Sequence, residues 1–182
     1  MTVPGQTTAK TRVTSPARRR VAAGLGAVLV AAVDLSAKAW AVSGLQDRVI
    51  PAGPVDLRLA YNPGVAFSVG AGAPTWLVLT VTVLVTAAVG VVAWRTAAAP
   101  PRGQLAALAL VLGGAIANVV DRARDGVVTD YLHTGWFPTF NLADTAIVIG
   151  AALLVLTGLR HLAPDDAEPS TRPNRSEGER ST

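Results

Sequence analysis

The residues of this chain that could do acid–base chemistry are few, and their spacing narrows the choice. There is no cysteine, which removes disulfides, thiol nucleophiles and cysteine-based metal sites. The two histidines, His133 and His161, lie too far apart for a His-x-x-x-His zinc helix. Carboxylates, one lysine and a few serines remain. Asp34 and Lys38 are four residues apart, so on a helix they share a face and can pair. Asn118 and Asp121 are three apart and are followed by Arg122, and Asn141 and Asp144 are again three apart. Two close carboxylates can share one proton, because both cannot easily ionise together. One then acts as base on a water while the other, protonated, polarises a carbonyl oxygen. Asp130 and Asp144 form the best such pair, one on a loop and one at a facing helix end. Asp121, beside Arg122 at a helix end, reads as a structural salt-bridge or hydrogen-bonding residue. A serine–lysine site would use Lys38 with Ser36, Ser43 or Ser68. Asp34 is placed to hold Lys38 charged, which spoils it as a base.

The elements that must position these residues are membrane helices. The chain of 182 residues is 51% hydrophobic and only 15% charged, against the roughly 25% charge usual in a soluble domain. The length allows one domain. Four apolar stretches, at about residues 21–45, 75–94, 103–120 and 141–160, are long enough to span, which takes about 20 mostly apolar residues. The first is too long for a cleavable signal peptide and carries Asp34 and Lys38, so it reads as an uncleaved anchor. Residues 1–20 hold Lys10, Arg12, Arg18, Arg19 and Arg20 with no acid, and Arg95 and Arg102 flank the 95–102 connection. Both regions are expected in the cytoplasm. The 46–74 and 121–140 loops, whose charges balance, are expected outside. Both termini are then cytoplasmic. Residues 163–182, rich in Pro, Ser, Glu and Arg, read as a disordered tail. The net charge of +4 is a property of the tails and gives no basic face for nucleic acid.

The expected fold is therefore a membrane all-α protein, with four transmembrane helices in residues 21–162 and a small strand-containing lobe on the outer face. The lobe, at about 46–74, is read from Val55–Tyr61, which largely alternates apolar and polar between the turn signals Gly53-Pro54 and Asn62-Pro63-Gly64. Depth along each helix follows from the 1.5 Å rise. Asp34 falls about 20 Å and Lys38 about 26 Å along the first helix, and Asp144 about 5 Å below the outer end of the fourth. Asn118, Asp121, Arg122, Asp130 and Asn141 fall near the same level, the outer leaflet boundary. Each buried charge costs about 2.5–3.5 kcal/mol, so a gathering at one level points to a site there. A plainer structural reading exists for each: Asp34–Lys38 as a helix-joining ion pair, Asn62-Pro63-Gly64 as a turn only. Trp40, Trp76, Trp136 and Phe137 read as an interfacial aromatic belt, and His133 is given no catalytic role.

Five segments in order carry a resemblance to a known family. They are Asp34-Leu-Ser-Ala-Lys38; Asn62-Pro-Gly64-Val-Ala66-Phe67-Ser68; Gly113-Gly114-Ala-Ile-Ala-Asn118-Val-Val-Asp121-Arg122; Val128-Thr-Asp130-Tyr; and Phe140-Asn141-Leu-Ala143-Asp144. Together they resemble lipoprotein signal peptidase (signal peptidase II), a bacterial membrane aspartyl protease. The resemblance implies removal of the signal peptide from diacylglyceryl-modified prolipoproteins, with the cut just before the lipidated cysteine. It implies Asp130 and Asp144 as the catalytic pair. It also implies that Asn62, Gly64, Ala66, Asn118, Asp121, Arg122, Asn141 and Ala143 line or support the site, and that Asp34 and Lys38 belong to the polar core around it. It implies no metal or organic cofactor. The implied location is the bacterial plasma membrane, and the expected partners are lipidated precursors and membrane lipid. A monomer is expected. Val65 stands where the family usually has Ala. Two other readings compete: a small transporter or proton pathway using Asp34, Lys38 and Asp144, and a catalytically dead protein that holds precursor. The inner halves of all four spans are apolar, which argues against the transporter.

Overall fold

The computed structural model of the chain describes residues 15–64, 73–96 and 102–162. The elements run α1 (Pro16–Gly44), β1 (Val49–Ile50), β2 (Asp56–Asn62), α2 (Thr75–Thr96), α3 (Arg102–Asp125), β3 (Val128–His133) and α4 (Leu142–Leu162). The basic tail, the 163–182 tail, Ala66 and Ser68 lie wholly or partly outside the described residues, with Ser15–Arg20 of the basic tail inside them.

Local chemistry sets the helix ends. The Ser15 hydroxyl accepts from the Arg18 N–H at 3.4 Å and Pro16 occupies the first turn, so α1 begins five residues earlier than its apolar run. Arg18, Arg19 and Arg20, placed by the sequence in the basic tail, are therefore helical. At the other end of the molecule, α3 continues to Asp125 and stops at Gly126, whose φ is 77° and whose N–H reaches back to Arg122 O at 2.9 Å. Asp121 and Arg122 thus lie in the closing turns of α3, near its end as expected.

Three helices, Pro16–Gly44, Thr75–Arg95 and Gly103–Asp125, are long and apolar enough to cross a membrane. The apolar stretch of α4, Leu142–Gly158, is shorter, so the expectation of four spans is met on length and composition for three. Helix α3 is the centre of the packing and lies against α1 and α4. It gets close by having no side chain at two adjacent positions. A Cβ on Gly113 would stand 2.6 Å from Ala27 O of α1, and one on Gly114 would collide with Ala143 O of α4. Ala31, Ala117 and Ala143 are buried at this three-helix junction. Small residues let backbones approach where lipid supplies no hydrophobic drive between helices.

The three strands form one antiparallel sheet in the order β1-β2-β3. β2 occurs where alternation predicts it, with Tyr61 opposite Thr129 and Ala60 opposite Asp130. β3 corrects the expectation of a loop over residues 121–140, because Asp130 stands on a strand. Four successive residues of β3, Val128 to Tyr131, are buried, so the segment has no polar face and no alternation to read. Leu132 bridges onward to Phe140. Ala41, Leu45 and Tyr131 form a second small core that fastens the end of α1 to the sheet.

Candidate active site

The site lies where the C-terminal ends of α1 and α3 and the N-terminal end of α4 meet β3. Asn141 caps α4, with its Oδ1 accepting from the Asp144 N–H at 2.9 Å and its own N–H donating to Asp144 Oδ2 at 3.2 Å. This reciprocal box fixes Asp144 in the first turn of the helix. The remaining Asn141 amide group donates to Asp130 Oδ1 at 2.6 Å. One fully buried residue therefore touches both candidate catalytic aspartates.

A second charged layer backs the pair. Asp34, only 1% exposed, accepts from the Ala143 N–H at 2.8 Å, placing an anion at the N-terminus of α4. Lys38 Nζ stands 2.9 Å from Asp34 Oδ2 and 3.3 Å from Asp121 Oδ2, and donates to Asn118 Oδ1 at 2.7 Å. Asn118 Nδ2 in turn donates to Asp144 Oδ1 at 2.8 Å. Asp121 accepts from the Thr129 N–H at 2.7 Å and so ties α3 to β3. The expected Asp34–Lys38 pair and the structural role of Asp121 are both present.

Arg122 is buried, and its Nη2 donates to the carbonyls of Asn62, at 3.3 Å, and of Gly64. Asn62 Oδ1 accepts from the Gly64 N–H at 3.0 Å. The carbonyls of this turn are therefore held by Arg122. The serine–lysine alternative also loses two of its serines. Ser36 donates to Ala32 O, and Ser43 to Ala39 O and Trp40 O, all within α1.

The carboxyl of Asp130 is pushed up to about 7, first by burial and then by the negative charge of Asp144. Hydrogen bonds from Asn141 and Asn62 and the charge of Lys38 oppose the rise. Tyr131 is pushed above its ordinary range, chiefly by burial and the charge of Asp34. Among the described residues, no group of three or more His, Cys, Asp or Glu is disposed to hold a metal ion.

Asp130 and Asp144 open onto a cavity of about 970 Å³. Its polar end is formed by Asn62, Gly64, Asn118 and Arg122 with the two aspartates. The rest is mostly apolar, with Val81, Val85 and Val89 of α2, Val111 and Ala115 of α3 and Ile147 and Val148 of α4 interrupted by threonines such as Thr82 and Thr86. Trp136, Phe137 and Phe140 also line it, the rings edge-to-face at centroid separations of 5.5 and 5.9 Å. The belt reading of Trp136 and Phe137 missed this wall. The Tyr131 hydroxyl accepts from the Leu142 N–H at 3.4 Å. The Gly-Trp-Phe-Pro run signals a turn, but nothing local says which way its rings face.

The chain matches the family model described as signal peptidase (SPase) II over residues 26–160. It is similar to a lipoprotein signal peptidase of Rhodococcus jostii, 41% identical over 161 residues that cover 81% of this chain and 77% of the relative. A lipoprotein signal peptidase of Syntrophomonas wolfei is 37% identical over 134 residues, covering 71% and 87%. A solved bacterial membrane enzyme shares the fold, with a TM-score of 0.71 at 24% identity over 81% of this chain and 93% of that one. With the family model matching well over half of its residues, the chain belongs to the signal peptidase II family of membrane proteases.

Proposed function

We propose that the protein is an aspartyl endopeptidase that removes the signal peptide from diacylglyceryl-modified prolipoproteins, cutting before the lipidated cysteine. The observation that carries this reading is one cavity with two polarities. Asp130 and Asp144 stand at one end of it, and the remainder is an apolar trough between membrane helices. A substrate with an apolar signal helix and acyl chains suits the trough, while its scissile amide meets the carboxyl pair. In the dyad, one ionised carboxylate takes a proton from water as the water oxygen bonds to the scissile carbonyl carbon. The other, protonated, gives its proton to the carbonyl oxygen. The resulting gem-diol collapses, the C–N bond breaks, and the amine leaves with the proton held by the first carboxylate. The second regains its proton from the gem-diol hydroxyl.

Orientation follows from charge. Arg20 of α1 lies over the Trp94 ring of α2 at 4.4 Å, which supports Arg18–Arg20 and Arg95 at one membrane face, opposite the dyad end. We take that face as cytoplasmic, the termini with it, α4 as a fourth span, and the dyad as lying at the outer leaflet of the plasma membrane. The direct test is processing of a lipidated precursor by Asp130→Asn and Asp144→Asn in membranes lacking the wild-type enzyme. Both variants are expected to insert and fold but to accumulate uncut precursor. Full processing by either would refute the dyad.

A further inference from the structure

The dyad reading leaves the proton unassigned between its two carboxyls, and the hydrogen-bond chain behind Asp144 bears on it. Lys38, held by Asp34 and Asp121, donates to Asn118 Oδ1 at 2.7 Å. An ammonium group can only donate, so it can face only the oxygen of that amide. The Asn118 NH2 group is thereby turned the other way, where it donates to Asp144 Oδ1 at 2.8 Å. The second oxygen of Asp144 accepts from the Asn141 backbone N–H at 3.2 Å, and the residue sits in the first turn of α4. Both oxygens therefore meet fixed donors, at the positive end of a helix dipole.

Asp130 is placed differently. It stands on β3, away from any helix terminus and from the Lys38–Asn118 chain, and accepts from the side chains of Asn141, at 2.6 Å, and Asn62. Burial and the charge of Asp144 favour its neutral form. The other charged or titratable groups around the pair are already engaged. Asp34 and Lys38 face it from α1, Asp121 and Arg122 from α3, and Tyr131 from β3. The Arg122 Nη2 is committed to the carbonyls of Asn62 and Gly64, and the Tyr131 hydroxyl faces the Leu142 N–H.

We infer that Lys38, acting through Asn118, is a positioning residue that gives Asp144 the role of base and leaves the proton on Asp130. The inference rests on the dyad reading above. In the reaction as written there, Asp144 takes the proton of the attacking water and delivers it to the leaving amine. Asp130 protonates the carbonyl oxygen and is reprotonated from the gem-diol.

The test is the pH profile of kcat for the full chain in nanodiscs, cutting a diacylglyceryl-modified fluorogenic peptide. Lys38→Met leaves Asp34 and Asp121 without their cation and threatens folding. Asn118→Leu, which keeps all three, therefore carries the test. Loss of one donor to the base is expected to move the acidic limb to higher pH by about one unit, a roughly tenfold loss of rate below it. The alkaline limb should stay in place and KM should change little. Where Lys38→Met folds, it should reproduce the shift, and Lys38→Arg should restore much of it. Movement of the alkaline limb instead would put the proton on Asp144 and overturn the assignment. An equal loss of kcat at every pH would mean a purely structural role and also overturn it. Failure of the dyad reads differently, as turnover surviving in Asp130→Asn or Asp144→Asn, and overturns both readings.

Discussion

At the residue scale, the informative feature is how few polar groups are left to chance. Arg122 uses one nitrogen to hold two carbonyls of the Asn62–Gly64 turn against the site. That nitrogen lies one bond farther from the backbone than a lysine ammonium would, so lysine stops short of the two carbonyls. Arg122→Lys is therefore expected to lower kcat/KM by at least tenfold with precursor peptide, and to destabilise the fold by about 1–3 kcal/mol in a denaturant titration. Asp130 makes a stability prediction of its own. Its carboxyl titrates near 7 in the fold and near 4 in the unfolded chain. Between those values the native state holds a proton that the unfolded state has released. Its contribution is thus fully present below about pH 4 and is lost as pH rises through about 7. Asp130→Asn should remove that loss, so the inactive variant should melt several degrees higher than wild type at pH 8, while the gap narrows at pH 5 and closes only near pH 4. Equal melting points at pH 8 would contradict the buried, proton-holding state of Asp130. Of this layer, the Asp34–Lys38 pair and the hydrogen-bonding role of Asp121 were readable beforehand. The first is a matter of spacing along one helix, the second of a carboxylate beside an arginine near a helix end. The clamp of Arg122 on the turn was not, because it joins residues about 60 positions apart.

At the element scale, α3 positions the site by approaching its neighbours closely. Gly114 lies against the Ala143 carbonyl, one residue before Asp144. A methyl group there must push α4 outward and carry Asp144 with it. Gly114→Ala should cost about 1–3 kcal/mol and most of the activity, measured by thermal melting in detergent and by precursor cleavage. Gly158→Ala is the matched control, since a Cβ there meets nothing within 4 Å, and it should leave both measurements nearly unchanged. Asn141→Ala removes a helix cap worth about 1 kcal/mol and also the donor to Asp130, so its loss of rate should exceed what its modest loss of stability explains. The helices and β2 were legible from hydropathy and alternation. β3 was not, because burial of both its faces erased the pattern that marks a strand.

At the scale of the whole molecule, the charges divide between a face rich in arginine and a face that carries the site. The absence of cysteine makes that division easy to test. In a multi-pass protein with the proposed orientation, Gln46→Cys should react with a membrane-impermeant maleimide in intact cells. Thr96→Cys should react only after the membrane is opened. The reverse pattern would place the dyad on the cytoplasmic side.

The order of residues by itself determined the class, four apolar stretches of which three form clear spans, and the pairs three or four apart that share a helix face. These are local properties, set by composition and by the 3.6-residue turn. Only the tertiary structure decided that Asn141 touches both aspartates, that Lys38 reaches Asp144 through Asn118, and that Asp130 stands on a strand beneath a membrane groove. The groups in those contacts come from different helices and from a strand. They meet because small residues let α1, α3 and α4 close on one another, and that closure is written in packing, which no local pattern contains.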